Sequence, residues 1–183
     1  KNPQKYDLPK IYLSRKESSD IEVLGLYETK RVFRYLPKDY PIPLGNQYVN
    51  KWKVFAPYAY GDSRDRFLGD EGAVQIIGPA VLGKKGQACT ETFLQIGNFN
   101  TEFEAESLLK YYKTKFFRTM VAILKSTQHS TTAFKFVPLQ DFTPNSDIDW
   151  TKSISEIDQQ LYKKYGLSEE EIAFIEEKVQ AME

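Results

Sequence analysis

A chain of 183 residues that is 41% hydrophobic and 14% aromatic can bury the core of one domain with a small appendage, and this composition excludes intrinsic disorder. One cysteine and one histidine exclude a disulfide framework and a Cys/His zinc site. The zero net charge hides a split: residues 1–140 carry 21 Lys/Arg against 14 Asp/Glu, and residues 141–183 carry 4 against 11. A polyanion is attracted to the first part and repelled by the second. No apolar run approaches the ~20 residues that span a bilayer, so the expectation is a cytoplasmic protein without membrane contact. The polar opening Lys1-Asn2-Pro3-Gln4-Lys5, without an initiator methionine, suggests a piece of a longer chain.

In chain order, residues rich in β-branched and aromatic side chains predict strands at 11–13, 32–36, 52–55, 74–77 and 92–96. The connections are long, notably 37–46 with three prolines and 61–72 with three glycines. Thr101-Glu102-Phe103-Glu104 has capping-box spacing and opens a helix expected over 101–125, with Ala105, Leu108, Leu109, Tyr112, Phe116, Met120, Ile123 and Leu124 on its apolar side. One more strand is expected at 134–137, then a polar linker over 141–153. Two helices close the chain. Ile154, Ile157, Leu161 and Tyr165 mark the first, which Gly166 stops; Ser168 and Glu171 cap the second, which carries Ile172, Ile175, Val179 and Met182. The expected fold is α+β: a mostly antiparallel or mixed sheet packed on one long helix, followed by a C-terminal helical hairpin. Its divisions are a domain at 1–140, a linker at 141–153 and a tail at 154–183.

No catalytic constellation stands out. Gly83-Lys84-Lys85-Gly86 lacks Walker spacing and its terminal hydroxyl. The Asn/Asp-Pro-Pro-aromatic run that grips a flipped adenine does not occur, nor does a glycine-rich cofactor loop. His129 lies among hydroxyls at 126–132 and reads as a polar turn at a helix exit, while Cys89 reads as a small buried thiol. Asp20 with Glu28-Thr29-Lys30 faintly matches an Asp…Glu-x-Lys magnesium nuclease and supplies the enzymatic alternative. No catalytic or metal-ligating residue is otherwise expected.

What remains is recognition chemistry. Cations interleave with aromatics in Lys30-Arg31-Val32-Phe33-Arg34-Tyr35 and Lys51-Trp52-Lys53, and sit on loops in Arg64-Asp65-Arg66 and Gly83-Lys84-Lys85-Gly86. Arginine can grip a guanine edge and lysine can neutralise phosphate. The candidate DNA-binding residues are therefore Arg31, Arg34, Lys51, Lys53, Arg64, Arg66, Lys84 and Lys85.

Phe93-Leu94-Gln95-Ile96-Gly97, Tyr111 through Arg118, and Phe136 through Phe142, with Asp149 through Ile154 and Leu161 through Leu167, form blocks across residues 89–183. Together they resemble the C-terminal specificity region of adenine-N6 DNA methyltransferases of type II restriction-modification systems. The resemblance implies a target-recognition domain on double-stranded DNA and no cofactor of its own. An upstream domain of the same chain would hold S-adenosylmethionine and, where the parent also cleaves, magnesium. The other alternative is an interaction domain whose acidic tail docks on the parent enzyme.

Overall fold

The computed structural model describes residues 12–42, 45–59, 64–69, 72–125 and 133–182. Strand β1 (Ile21–Tyr27) pairs antiparallel with β2 (Lys30–Leu36) through a two-residue turn, Glu28-Thr29. Both turn residues have positive φ, 47° and 71°, as a type I′ hairpin requires. Asn-Gly normally fills such a turn, so the tip is strained by about 1–3 kcal/mol per residue. Strands β3 (Trp52–Pro57), β4 (Val81–Gly83), β5 (Gln87–Cys89) and β6 (Phe93–Phe99) complete two three-stranded sheets, ordered β2-β1-β5 and β4-β3-β6. Pairing is antiparallel except for β1 with β5.

The alternation of β3 decides how the layers stack. Phe55 points to the first sheet and meets Leu24, Val81, Cys89 and Phe93. Val54 and Ala56 point the other way, into the main core beneath the helices. The order is sheet, sheet, then helices, so the fold is α+β with two stacked sheets where the sequence predicts one.

The expected long helix is two. Helix α2 (Glu102–Lys113) starts at the Thr101 capping box, and α3 (Lys115–Leu124) starts after Thr114, which is extended (ψ 149°) and accepts the Phe117 amide at 3.1 Å. The apolar stripe runs through this break without a skip, which hides it in the sequence. Short helix α1 (Arg64–Leu68) buries Phe67 against Phe174. Helices α4 (Ile154–Tyr165) and α5 (Glu169–Lys178) have the expected Gly166 stop, φ 65°, and the Ser168–Glu171 capping box.

Other expectations shift. At 74–77 only Val74 forms a bridge, to Val179, and 133–136 is a 3-10 turn rather than a strand. Of 11–13, Tyr12 bridges Tyr35 and Ile11 lies outside the described residues. The 141–153 stretch is no linker. Phe142, Ile148 and Trp150 are buried in the main core, and the Trp150 indole N–H donates to the Asp141 carbonyl at 2.8 Å. Ile157, Leu161, Tyr162, Ile175 and Val179 join the same cluster, so the tail is part of the domain. No helix of the described residues is long and apolar enough to cross a membrane.

Trp150→Ala is expected to cost about 3–5 kcal/mol in urea unfolding, the range for emptying a large aromatic site in a core. A linker residue would leave the midpoint unchanged.

Candidate nucleic-acid interface

On and beside the β1–β2 hairpin, three cations rest on aromatic rings. The half-buried Arg34 guanidinium lies 4.3 Å from the centroid of Tyr27. Arg15 and Lys16 are exposed, the first 5.1 Å from Tyr35 and the second, through its ammonium, 3.9 Å from Tyr12. The register explains the first pair: Arg34 stands opposite Val23, on the face of β1 that also carries Tyr27. The other two follow from the Tyr12–Tyr35 bridge, which lays the segment around residue 12 along the outer edge of β2. Such pairs hold charged groups in fixed positions, and Arg15 is held further by Glu22, to which its Nη2 donates at 2.6 Å. Arg15, Lys16, Tyr12 and Tyr27 are not among the candidates from sequence. The mixture of aromatic and basic residues at 12–16 is the signal that could have found them.

Arg31 on the same hairpin is engaged across the two sheets. It donates to the Pro79 carbonyl at 2.7 Å and lies 5.5 Å from the Phe93 ring. Lys84 and Lys85 are exposed on the turn between β4 and β5, which is fixed by the Lys84 amide donating to Gln87 Oε1 at 2.7 Å and by Gly86 at φ 82°. Lys51, half-buried, donates to Asn100 Oδ1 at 2.5 Å. Because Lys53 pairs with Gly83, Lys51 and the Lys84-Lys85 turn share one end of the sheets. Arg31 lies toward the other end of β3, roughly 20 Å along the strand.

Lys53 requires correction as a DNA contact. Its exposure is 0%, and its ammonium donates to the carbonyls of Tyr48 (2.9 Å), Val49 (2.8 Å) and Gln87 (2.7 Å). Alternation on β3 does turn Lys53 away from the helices, but the first sheet covers that face. Gly83 makes the room, since a Cβ there would sit 2.7 Å from the Lys53 stem. Burial pushes the Lys53 pKa down to about 8. It remains largely an ammonium at neutral pH, and three acceptors need three N–H donors.

Arg64 and Arg66 are exposed on α1 but lie apart from the others. The Arg64 amide donates to the Lys125 carbonyl at 3.2 Å, and Phe67 ties α1 to α5, the acidic helix. Arg34, Lys84 and Lys85, with Lys16 and an Arg15 that is ion-paired to Glu22 at 2.6 Å, therefore lie on or beside the strands, and Arg64 and Arg66 lie beside the tail.

The nuclease alternative fails on geometry. Asp20 precedes β1 and accepts the Lys16 and Glu17 amides, whereas Glu28 follows β1 at the hairpin tip, about 25 Å away along a strand. The two carboxylates cannot share one ion. Among the described residues no group of three His, Cys, Asp or Glu side chains could hold a metal. Burial pushes the Cys89 thiol up to about 12, consistent with an unreactive packed sulfur, and His129 lies outside the described residues. Comparison with known proteins finds no matching family model, no matching curated protein and no matching solved structure.

The Lys53 environment predicts a pH dependence. Its folded pKa lies below the unfolded value, so between about 8 and 10.5 the unfolded chain binds more protons. Unfolding free energy contributed by this group therefore rises with pH across that window and is lowest below it. Wild type is expected to gain stability relative to Lys53→Met as pH is raised from 8 to 10 in urea titrations. A constant or shrinking difference contradicts the assignment.

Proposed function

We propose that this chain is a target-recognition module that binds duplex DNA for a restriction-modification adenine-N6 methyltransferase. The observation that carries the proposal is the segregation of charge across the layers. Exposed cations occupy the β1–β2 hairpin and the β4–β5 turn on the sheet side, while the acidic α4–α5 hairpin packs on α3 within the helical layer. A duplex can approach the sheet side without meeting the tail.

The chemistry suits groove and phosphate contacts. Arg34 is oriented by Tyr27 and keeps donors for a base edge or phosphate, and Lys84 and Lys85 project from a short turn braced by both sheets. Rigid sheets beneath short projecting turns fix the register of the protein on the duplex. Base modification requires the base to leave the stack, which a separate catalytic domain does while this module holds the site. That domain would supply S-adenosylmethionine, with magnesium where cleavage accompanies methylation, in the cytoplasm. The family resemblance in residues 89–183 supports this assignment.

Fluorescence anisotropy on a mixed-sequence duplex tests it. Arg34, Lys84 and Lys85 replaced together by alanine should weaken binding and lower the slope of log affinity against log salt by about 0.9 for each phosphate that is no longer neutralised. Arg64→Ala with Arg66→Ala should change neither. Equal binding by wild type and the triple variant, or no salt dependence at all, sinks the proposal.

A further inference from the structure

Helices α2 and α3 meet at Thr114, and the segment 150–155 crosses beside them on its way into α4. Between these elements and the end of the chain lies a cavity of about 690 Å³. Its wall holds five cations, Lys110, Lys113, Lys115, Arg118 and Lys152, against three carboxylates, Glu106, Asp158 and Glu176.

Two of the carboxylates, the buried Asp158 and the exposed Glu176, are already partnered. Asp158 accepts the amides of Lys115 (3.0 Å) and Phe116 (2.9 Å), and Glu176 accepts from the Lys115 ammonium (2.7 Å) and the Tyr162 hydroxyl (3.0 Å). Lys110 is also structural, donating to the carbonyls of Trp150 and Lys152 and so fixing the rim. Lys113 and Lys152 are different: neither ammonium donates a hydrogen bond or forms an ion pair among the described residues.

Arg118 is 1% exposed. Its Nε donates to the Thr114 carbonyl and its Nη1 to the Gln180 carbonyl, but Nη2 has no partner among the described residues. A buried guanidinium nitrogen left unbonded costs stability unless something accepts from it. The first turn of α4 adds the amides of Ile154 and Ser155, which have no intrahelical acceptor, while the Ser153 hydroxyl is already used by Glu156.

We infer that this cavity is a binding site for a small phosphate-bearing ligand of mononucleotide size. A tetrahedral oxyanion matches two uncommitted ammonium groups, an unsatisfied guanidinium and the open amides of a twelve-residue helix. The volume exceeds what a bare phosphate needs and falls in the range of small-ligand pockets. Leu109, Ile154, Ala181 and Met182 supply an apolar wall for a ring. None of the residues assigned to duplex DNA lines the cavity, so the inference stands apart from that assignment.

Calorimetric titration of the whole chain with inorganic phosphate and with adenosine monophosphate provides the test, using wild type, Lys113→Glu with Lys152→Glu, and Lys84→Glu with Lys85→Glu. Both double variants should fold, which thermal unfolding checks, since all four side chains reach solvent. Wild type should bind the nucleotide more tightly than phosphate. Both affinities should fall about tenfold or more in the Lys113/Lys152 variant, where attraction becomes repulsion, and stay unchanged in the Lys84/Lys85 variant. Amide resonances of Ile154 and Ser155 should move on addition of either probe. No saturable binding by wild type, or an equal loss in both variants, overturns the site; nucleotide binding no tighter than phosphate overturns its size.

Discussion

Helix α3 begins inside the protein, where water cannot take its first amides, so a side chain has to. Asp158 of α4 does this, accepting from both Lys115 and Phe116. Burial pushes its pKa up to about 6 in spite of those two bonds, with Glu176 adding to the rise and Arg118 opposing it. An aspartate held at such cost must be placed by the packing around it, and Ile157, Leu161 and Tyr162 on the same helix provide that packing. Once α4 is fixed by its own acid, the rest follows: the segment 141–153 is drawn across the core, α5 returns over α3, and Gln180 reaches Arg118 and Val74. The tail could not be an appendage and also cap α3.

Lys53 performs the equivalent service between the sheets. Its ammonium joins the loop at Tyr48 and Val49 to Gln87 on β5, across the gap that Gly83 leaves open. A buried ammonium facing only carbonyl dipoles, with no carboxylate bonded to it, keeps the two sheets in one register because its acceptors lie on two separate segments, the 48–49 loop and β5. The same residue shows why a cation on a strand is a poor guide to a binding surface. Alternation fixes which side of the strand it takes, and only the stacking of layers decides whether that side meets water.

Legibility in the sequence tracks how local each signal is. The capping boxes at Thr101 and Ser168 and the stop at Gly166 are readable because all partners lie within a few residues. Strand β1 is not, since Glu22 and Gly25 break its apolar pattern and its stability comes from pairing on both sides. The break at Thr114 is invisible because Tyr112 and Phe116 keep helical spacing across it. The polar look of 141–153 conceals three core residues, of which Phe142 and Trp150 pack on Tyr111, more than thirty positions away. At the site, residue types are legible and their surroundings are not. Lys84 and Lys85 have the expected exposure, but Arg34 is half-buried beside Tyr27, Arg31 turns toward Pro79, and Arg15 with Lys16 enters through a single bridge.

Much of the tail's negative charge is consumed locally: Glu156 and Glu171 cap their own helices, Asp147 pairs with Lys164, and Glu176 with Lys115. The acids of the tail form no hydrogen bond or ion pair with Lys113 or Lys152 and leave Arg118 Nη2 without a partner among the described residues, although Asp158 attracts Arg118, and Asp149 and Glu156 attract Lys152, through space. A positive hollow with an apolar wall, set within an acidic face, concentrates its field at the mouth rather than spreading it over the surface. Two electropositive regions thus coexist with zero net charge, one broad and exposed on the sheets, the other narrow and recessed among the helices. Extended polyanions meet the first and are turned away from the second by the surrounding acids, so the recessed region selects for small anions by shape and by repulsion together.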